Sequence, residues 1–144
     1  MSDVGVALTS QLIAKWLEDS GISGVTWVFD ARGFDKAGNA PMAAMISFTG
    51  GPGLQLEDVL DVVTFQVRCR GPQEDDTGAA LMFARRVDAT ICTATYHGPI
   101  LIGDVKVIRT GRVGAAPAQF GPRDNAHRVQ TSCNYLFEIG SGLT

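Results

Sequence analysis

The chain has 144 residues, a formal net charge of −3 and an apolar share of 45%, so it is long enough to form one domain without a disulfide or a structural metal. Charged residues make up only 19%, against a typical share of about 25%, which indicates that neighbouring subunits cover part of the surface. The acidic balance argues against a dedicated nucleic-acid binder, since such a domain usually carries a basic face.

The chain opens with a predicted helix over residues 4–20. Its apolar residues recur at helical spacing, as Leu8 and Leu12 do, and we expect Ser2 or Asp3 to cap the first turn. Gly21 suits the left-handed residue that follows a helix end. We expect neither a signal peptide nor a membrane span, because the sequence has no apolar run of the required kind.

Two short strands are predicted next, over residues 25–29 and 42–48, from the alternation of apolar and polar residues. We expect these strands to form a hairpin with a long tip, residues 31–41. Glycine and proline at 50–53 end the second strand. The pattern leaves open whether residues 54–61 are irregular or form a short helical turn.

The centre of the chain is the clearest strand–helix unit. Residues 62–70 alternate between an apolar and a polar face, and Gly71 and Pro72 end this strand. The polar and acidic residues 73–76 suit the positive end of the helix that follows. That helix has a predicted buried stripe at three- and four-residue steps, formed by Ala80, Ala84, Val87 and Ile91.

The last third of the chain predicts two more strands. Residues 100–107 form one strand with Gly103 as a candidate bulge, and residues 129–139 form the longest alternating run. Between them, residues 111–125 lack periodicity and predict a structureless loop. The whole chain, residues 1–144, is therefore predicted to be a single α+β domain, with a mainly antiparallel sheet of about five strands and two helices packed on one face, in the order α-β-β-β-α-β-β.

Signals for catalysis or metal binding are weak. Cys69, Cys92 and Cys133 form no CxxC pair and are expected to be buried free thiols in a reducing compartment. Neither His97 nor His127 has a second ligand at metal-binding spacing. We therefore predict no catalytic residue, no metal and no cofactor.

Two carboxylate pairs are the remaining candidates for chemistry. Asp58 with Asp61 could bind a cation or serve as acid and base, whereas Asp75 with Asp76 is better explained as a helix cap. A small enzyme or ligand-binding module that uses the Asp58 and Asp61 region, or His97, is the alternative from a different functional class.

Arginine is the main basic residue of the chain, and its planar side chain favours specific contacts with carboxylates. One interpretation of the arginines is pairing with acids on adjacent strands, such as Glu138. Another is contact with acidic patches of neighbouring subunits, and a third is passing contact with a phosphate backbone. The candidate subunit or tube interface consists of Arg68, Arg70, Arg109, Arg112, Arg123, Asp124 and Arg128.

Several stretches together carry a family resemblance. The central strand reads FQVRCRG over residues 65–71 and precedes an Ala-rich helix, and a Gly-Pro-Arg-Asp loop lies at 121–124. Arg128 and the strand CNYLFE at 133–138 follow, and the apolar first helix and the TGGP break at 49–52 agree as well. In these motifs the chain resembles the tail terminator proteins of long-tailed, siphovirus-like bacteriophages, also termed minor tail or minor capsid proteins.

The resemblance implies a non-enzymatic structural subunit of the virion. Tail terminators form a ring, expected to be a hexamer, on the head-proximal end of the tail tube, where they stop tube polymerisation and offer the surface that docks to the head. The implied partners are copies of the chain itself, the tail tube protein, head–tail connector or neck proteins, and packaged DNA in transient contact with the lumen, with no membrane.

The same resemblance implies assembly in the host cytoplasm and a final location in the tail or neck of the virion. In this interpretation the segments 31–41 and 111–125 make subunit or tube contacts. The nearest alternative is another neck protein, either a tail-completion protein or a head-closure connector.

Overall fold

The computed structural model describes residues 8–29, 42–50, 61–71, 77–119 and 130–140. The elements in this part of the chain are α1 (Ser10–Asp19), β1 (Thr26–Val28), β2 (Ala43–Gly50), β3 (Asp61–Arg70), α2 (Thr77–Thr93), β4 (Ile100–Ile102), β5 (Val105–Gln119) and β6 (Gln130–Ile139). The strands form one curled, mixed sheet in the order β1-β2-β3-β6-β5-β4. The predicted α+β class is confirmed, with six described strands rather than about five.

The centre of the sheet is the antiparallel pair β3 and β6. Their register runs without interruption from Asp61 opposite Ile139 to Arg70 opposite Gln130. The alternation predicted for both strands is confirmed, because one face of each is apolar and buried. A one-residue slip would turn all of these side chains to the wrong face, so burial fixes the register.

Both helices cover the same face of the sheet and share one hydrophobic core with it. The predicted stripe of α2 is buried, and its members Ala84, Val87 and Ile91 lie in this core, the last two fully inaccessible to solvent. From the sheet, Phe65 and Phe137 pack edge to face with ring centroids 5.8 Å apart. No described helix is long and apolar enough to span a bilayer.

Helix α1 begins later than predicted. It starts at Ser10, because the Thr9 hydroxyl accepts a hydrogen bond from the Leu12 backbone N–H and caps the first turn there. Ser2 and Asp3, the predicted caps, lie outside the described residues. The predicted end is confirmed: Gly21 follows the helix with φ of +100°, and the Ile22 N–H bonds to the Leu17 carbonyl as in a Schellman motif.

The predicted hairpin of the first two strands is wrong. β1 pairs with β2 in parallel, with Thr26 opposite Ala43, and the Thr26 N–H donates to the Met42 carbonyl at 2.8 Å. A parallel pair needs a connection of roughly a dozen residues, which the segment between them provides. Alternation reveals a half-buried strand but not its direction, so the pattern could not distinguish a parallel pair from an antiparallel hairpin.

The predicted single strand over 100–107 is also wrong. β4 and β5 form a tight antiparallel hairpin in which Ile102 lies opposite Val105. The candidate bulge Gly103 lies in the two-residue turn instead, with φ of +62°, a conformation that glycine adopts without steric cost.

The predicted loop 111–125 is wrong for its first nine residues. β5 continues to Gln119, but its pairing with β6 breaks between Val113 and Ala118, where four residues stand opposite a single one. Backbone pairing does not require apolar alternation, which explains why the pattern missed this part of the strand. The remainder of that predicted loop lies outside the described residues, as do the segments 31–41, 54–60 and 73–76.

Candidate functional site

Two strand edges extend beyond the short strands that flank the sheet. β1 pairs with β2 only as far as Met45, so no described strand lies on that side of residues 46–50, named here the β2 edge. At the other end of the sheet, β4 pairs with β5 only over Val105–Val107. No described strand covers the outer side of β5 over residues 111–119, named here the β5 edge.

The two edges lie at the same level of the sheet and run in opposite directions. One cross-strand row joins Phe48, Phe65, Tyr135 and Arg112, from the β2 edge to the β5 edge. Three successive antiparallel pairings separate β2 from β5, so these two strands are antiparallel to each other. A copy of the chain rotated about an axis parallel to the strands and placed beside β5 would therefore present its β2 in antiparallel orientation, which continues the alternation of the sheet.

Exposed apolar side chains lie on both edges. Phe48 is 60% exposed although its ring packs against Phe65, and Val113 is 42% exposed. An uncovered strand edge with exposed apolar side chains is a template for pairing with another chain. These edges are the candidate interaction site.

A cluster of four side chains, named here the Asp88 cluster, connects α2 with the β5 edge. It consists of Asp88, Cys92, Arg112 and Tyr135. One oxygen of Asp88, Oδ1, lies 3.0 Å from Arg112 Nε and accepts a hydrogen bond from the Tyr135 hydroxyl at 3.0 Å and a weaker one from Cys92 Sγ at 3.6 Å. The carboxylate is well shielded, with 15% of the Asp88 side chain exposed. Its charge is thus compensated by donors from a helix and two strands.

Further bonds attach β5 to its neighbours around this cluster. The Thr110 hydroxyl donates to the Ile91 carbonyl, and the Thr110 N–H donates to the Thr95 hydroxyl at 3.2 Å. Within the interrupted stretch of pairing, Cys133 Sγ donates to the Ala115 carbonyl at 3.5 Å. The Cys133 side chain therefore replaces part of the backbone ladder that β5 loses beyond Val113, whereas Thr110 attaches the strand to the end of α2 before that point.

Burial is the main cause of the protonation states in this region. It raises the pKa of the Cys92 and Cys133 thiols, and the nearby Asp88 charge adds to this effect. Burial also raises the pKa of the Tyr135 hydroxyl. A hydrogen bond with Cys92 and the Asp88 charge raise the pKa of Arg112. At neutral pH the thiols keep their protons and act as hydrogen-bond donors rather than as nucleophiles.

The structure places the predicted interface arginines in different surroundings. Arg109 forms the pair with Glu138 that the intramolecular interpretation expected, at 3.5 Å, whereas Arg112 turns to the helix side and contacts Asp88. Arg68 donates to the Gln130 side chain at 3.0 Å, and Arg70 is only 2% exposed. These four arginines do not form one basic surface. The other predicted members, Arg123, Asp124 and Arg128, lie outside the described residues.

The alternative candidates for catalysis or ligand binding are His97 and the region of Asp58 and Asp61. His97 is exposed in the turn after α2, and Asp58 lies outside the described residues, as does the side chain of Asp61. Within the ranges that the structure describes, no group of three or more His, Cys, Asp or Glu side chains could hold a metal ion.

Three members of the site, Asp88, Thr110 and Tyr135, were not predicted from the sequence. A usable signal was present for Asp88, because this acid lies four residues after Ala84 and directly beside Val87, on the inward stripe of α2. An acid at such a position requires a partner, since an unpaired buried charge is costly. The partners come from β5 and β6, far away in the sequence, and only the fold identifies them.

Comparison with known protein families, with curated proteins and with solved structures gave no match.

Proposed function

We propose that this chain is a tail terminator of a long-tailed bacteriophage: a structural subunit that forms a ring on the head-proximal end of the tail tube, ends tube polymerisation and provides the docking surface for the head. The motifs over residues 65–71, 121–124 and 133–138 support the family assignment. The observation that carries the proposal is the pair of antiparallel edges, residues 46–50 and residues 111–119, at opposite ends of one sheet.

A ring needs two different and complementary patches on each subunit, related by a rotation that closes. The β5 edge of one copy and the β2 edge of the next meet this requirement, since rotation about an axis parallel to the strands preserves their direction and brings antiparallel strands together. Each new backbone hydrogen bond contributes a net stabilisation of about 1 kcal/mol. Burial of the exposed Phe48 ring would contribute more to the free energy of association than any one of these hydrogen bonds.

The face of the sheet opposite the helices suits an opening through which DNA slides. Its middle row consists of Ser47, Gln66 and Asn134, which carry no charge. Beyond this row, the same face carries three arginines: Arg109 is offset by Glu138, Arg68 donates to the Gln130 side chain, and Arg70 is only 2% exposed. The uncharged amides and hydroxyl of the middle row offer a phosphate backbone no fixed counter-charge, and phosphate neutralisation by Lys and Arg dominates DNA affinity. In this proposal the open face lines the lumen.

Cross-linking of the phage particle that contains the protein tests the proposal. We expect cross-links between copies of the chain and between the chain and the tail tube protein, because a terminator touches the last ring of the tube. Particles assembled without the chain should have tubes of uncontrolled length. Cross-links to connector proteins without any to the tube protein would favour a head-closure connector instead. Absence of the chain from the particle would reject both assignments.

A further inference from the structure

The course of β5 changes immediately after the residue that contacts Asp88. Arg112 is opposite Tyr135 in the regular ladder, Val113 is the next residue in register, and the pairing resumes only at Ala118. Gly114, with φ of +83°, begins the unpaired stretch. The β5 edge therefore contains a backbone segment that the ladder alone does not hold in place.

The Asp88 cluster lies at the point where this segment starts. The Asp88 carboxylate binds one side chain from β5 and one from β6, the two strands whose pairing is interrupted. Tyr135 is almost completely buried, so the hydroxyl that Asp88 accepts from has a fixed position. Arg112 has a side chain that is about one third exposed, and its position depends on the carboxylate. The carboxylate thus links β5 to β6 and α2, and because those two elements are fixed, it fixes β5 as well.

We propose that Asp88 is a positioning residue for assembly: its contacts with Arg112 and Tyr135 set the course of the β5 edge so that a second copy of the chain can pair with it. The claim that a second copy pairs with this edge rests on the proposed function. The claim that Asp88 sets the course of β5 does not. Without the carboxylate, the segment that begins at Gly114 loses the contact at its start and keeps the weaker Cys133 hydrogen bond to the Ala115 carbonyl, so more of the edge must be ordered at the moment of association. Ordering a segment on binding lowers affinity.

Asp88→Asn tests the inference, because the amide has nearly the same shape and can still accept a hydrogen bond from Tyr135 but cannot form an ion pair with Arg112. We expect the amide hydrogens of residues 111–119 to exchange about tenfold faster in the variant, while β3 and the central part of β6 keep their protection. Assembly should require an about tenfold higher protein concentration. Asp88→Glu, which restores the charge, should recover at least part of both effects.

Asp19→Asn is the matched control, since it makes the same chemical change at an exposed acid of α1 outside the cluster. We expect it to change neither exchange nor assembly. Unchanged exchange over residues 111–119 in Asp88→Asn, or an equal increase across the whole sheet, would overturn the inference. Faster exchange over residues 111–119 together with unchanged assembly would overturn the claim that Asp88 prepares the edge for a second copy. A wild-type chain that never assembles contradicts the proposed function instead, and the exchange result still decides the local role of Asp88.

Discussion

The β3–β6 ladder and the β5 edge belong to one sheet, but different interactions hold them. In the ladder every residue from Asp61 to Arg70 has a partner in register, and one face is sealed by α2. In the β5 edge the register breaks, most side chains are exposed, and contacts such as Arg112 with Asp88 hold the strand. The ladder is completed within the chain, whereas the edge is completed by another molecule in the function proposed above.

The largest expected difference between the two regions is the cost of truncating a side chain. Phe137→Ala removes a ring with no solvent exposure from the ladder and should lower the free energy of unfolding by about 3–5 kcal/mol. Val113→Ala shortens a side chain that is 42% exposed on the β5 edge and should cost less than about 1 kcal/mol. Urea denaturation measures both values, and similar losses would contradict the distinction.

A charge on the β2 edge should prevent assembly while leaving the fold intact. Phe48→Lys places an ammonium group where the neighbouring copy would bury a ring, so we expect at least a tenfold rise in the concentration needed for assembly. Met82→Lys is the control, because Met82 is exposed to a similar extent, 69%, on the outside of α2. Analytical ultracentrifugation of both variants measures the concentration needed for assembly. An equal rise in both variants would show that position 48 is not part of the interface.

High pH should destabilise the ladder through Cys69. Burial raises the pKa of this thiol from 9.0 to about 12, so the folded chain keeps a proton that the unfolded chain has lost. This contribution to stability is fully present below pH 9 and is lost as the pH rises from about 9 towards 12. At pH 10 the loss from Cys69 is on the order of 1 kcal/mol. The fall in unfolding free energy between pH 8 and pH 10 should be smaller in Cys69→Ala, and an identical fall would refute the assignment.

The smallest expected effects on stability come from removing the two ion pairs of β5, and they should differ between the pairs. Arg109→Gln removes a pair whose arginine side chain is 71% exposed, and it should change stability by less than about 0.5 kcal/mol. Arg112→Gln removes a less exposed arginine, 35% against 71%, from a shorter contact with its carboxylate, 3.0 Å against 3.5 Å, and should lower the melting temperature more. Calorimetry of the two variants under the same conditions tests this order, which the reverse ranking would contradict.

The sequence predicted well the parts of the fold that follow from burial on one face. The alternation over residues 62–70 and the stripe of α2 identified the central strand and its covering helix, because apolar periodicity is the direct consequence of a buried face. The Gly21 stop of α1 was predictable for a similar reason, since a left-handed position after a helix favours glycine.

Other features depend on interactions between distant segments and leave no local pattern. The parallel direction of β1 is decided by where the chain returns, and the strand over residues 111–119 by a backbone partner in β6. The same applies to the site: Arg112 was selected as an interface residue, but its contact with Asp88 arises only when α2 packs on the sheet.

The mass of the purified chain at micromolar concentration, measured by native mass spectrometry and examined together with electron micrographs, tests the proposed edge-to-edge assembly most directly. We predict a closed, ring-shaped particle of one mass that is a whole multiple of 15.3 kDa, six being the number that the family resemblance implies. A single 15.3 kDa species at every concentration, or open polymers without a fixed length, would contradict the assembly of copies through the β2 and β5 edges.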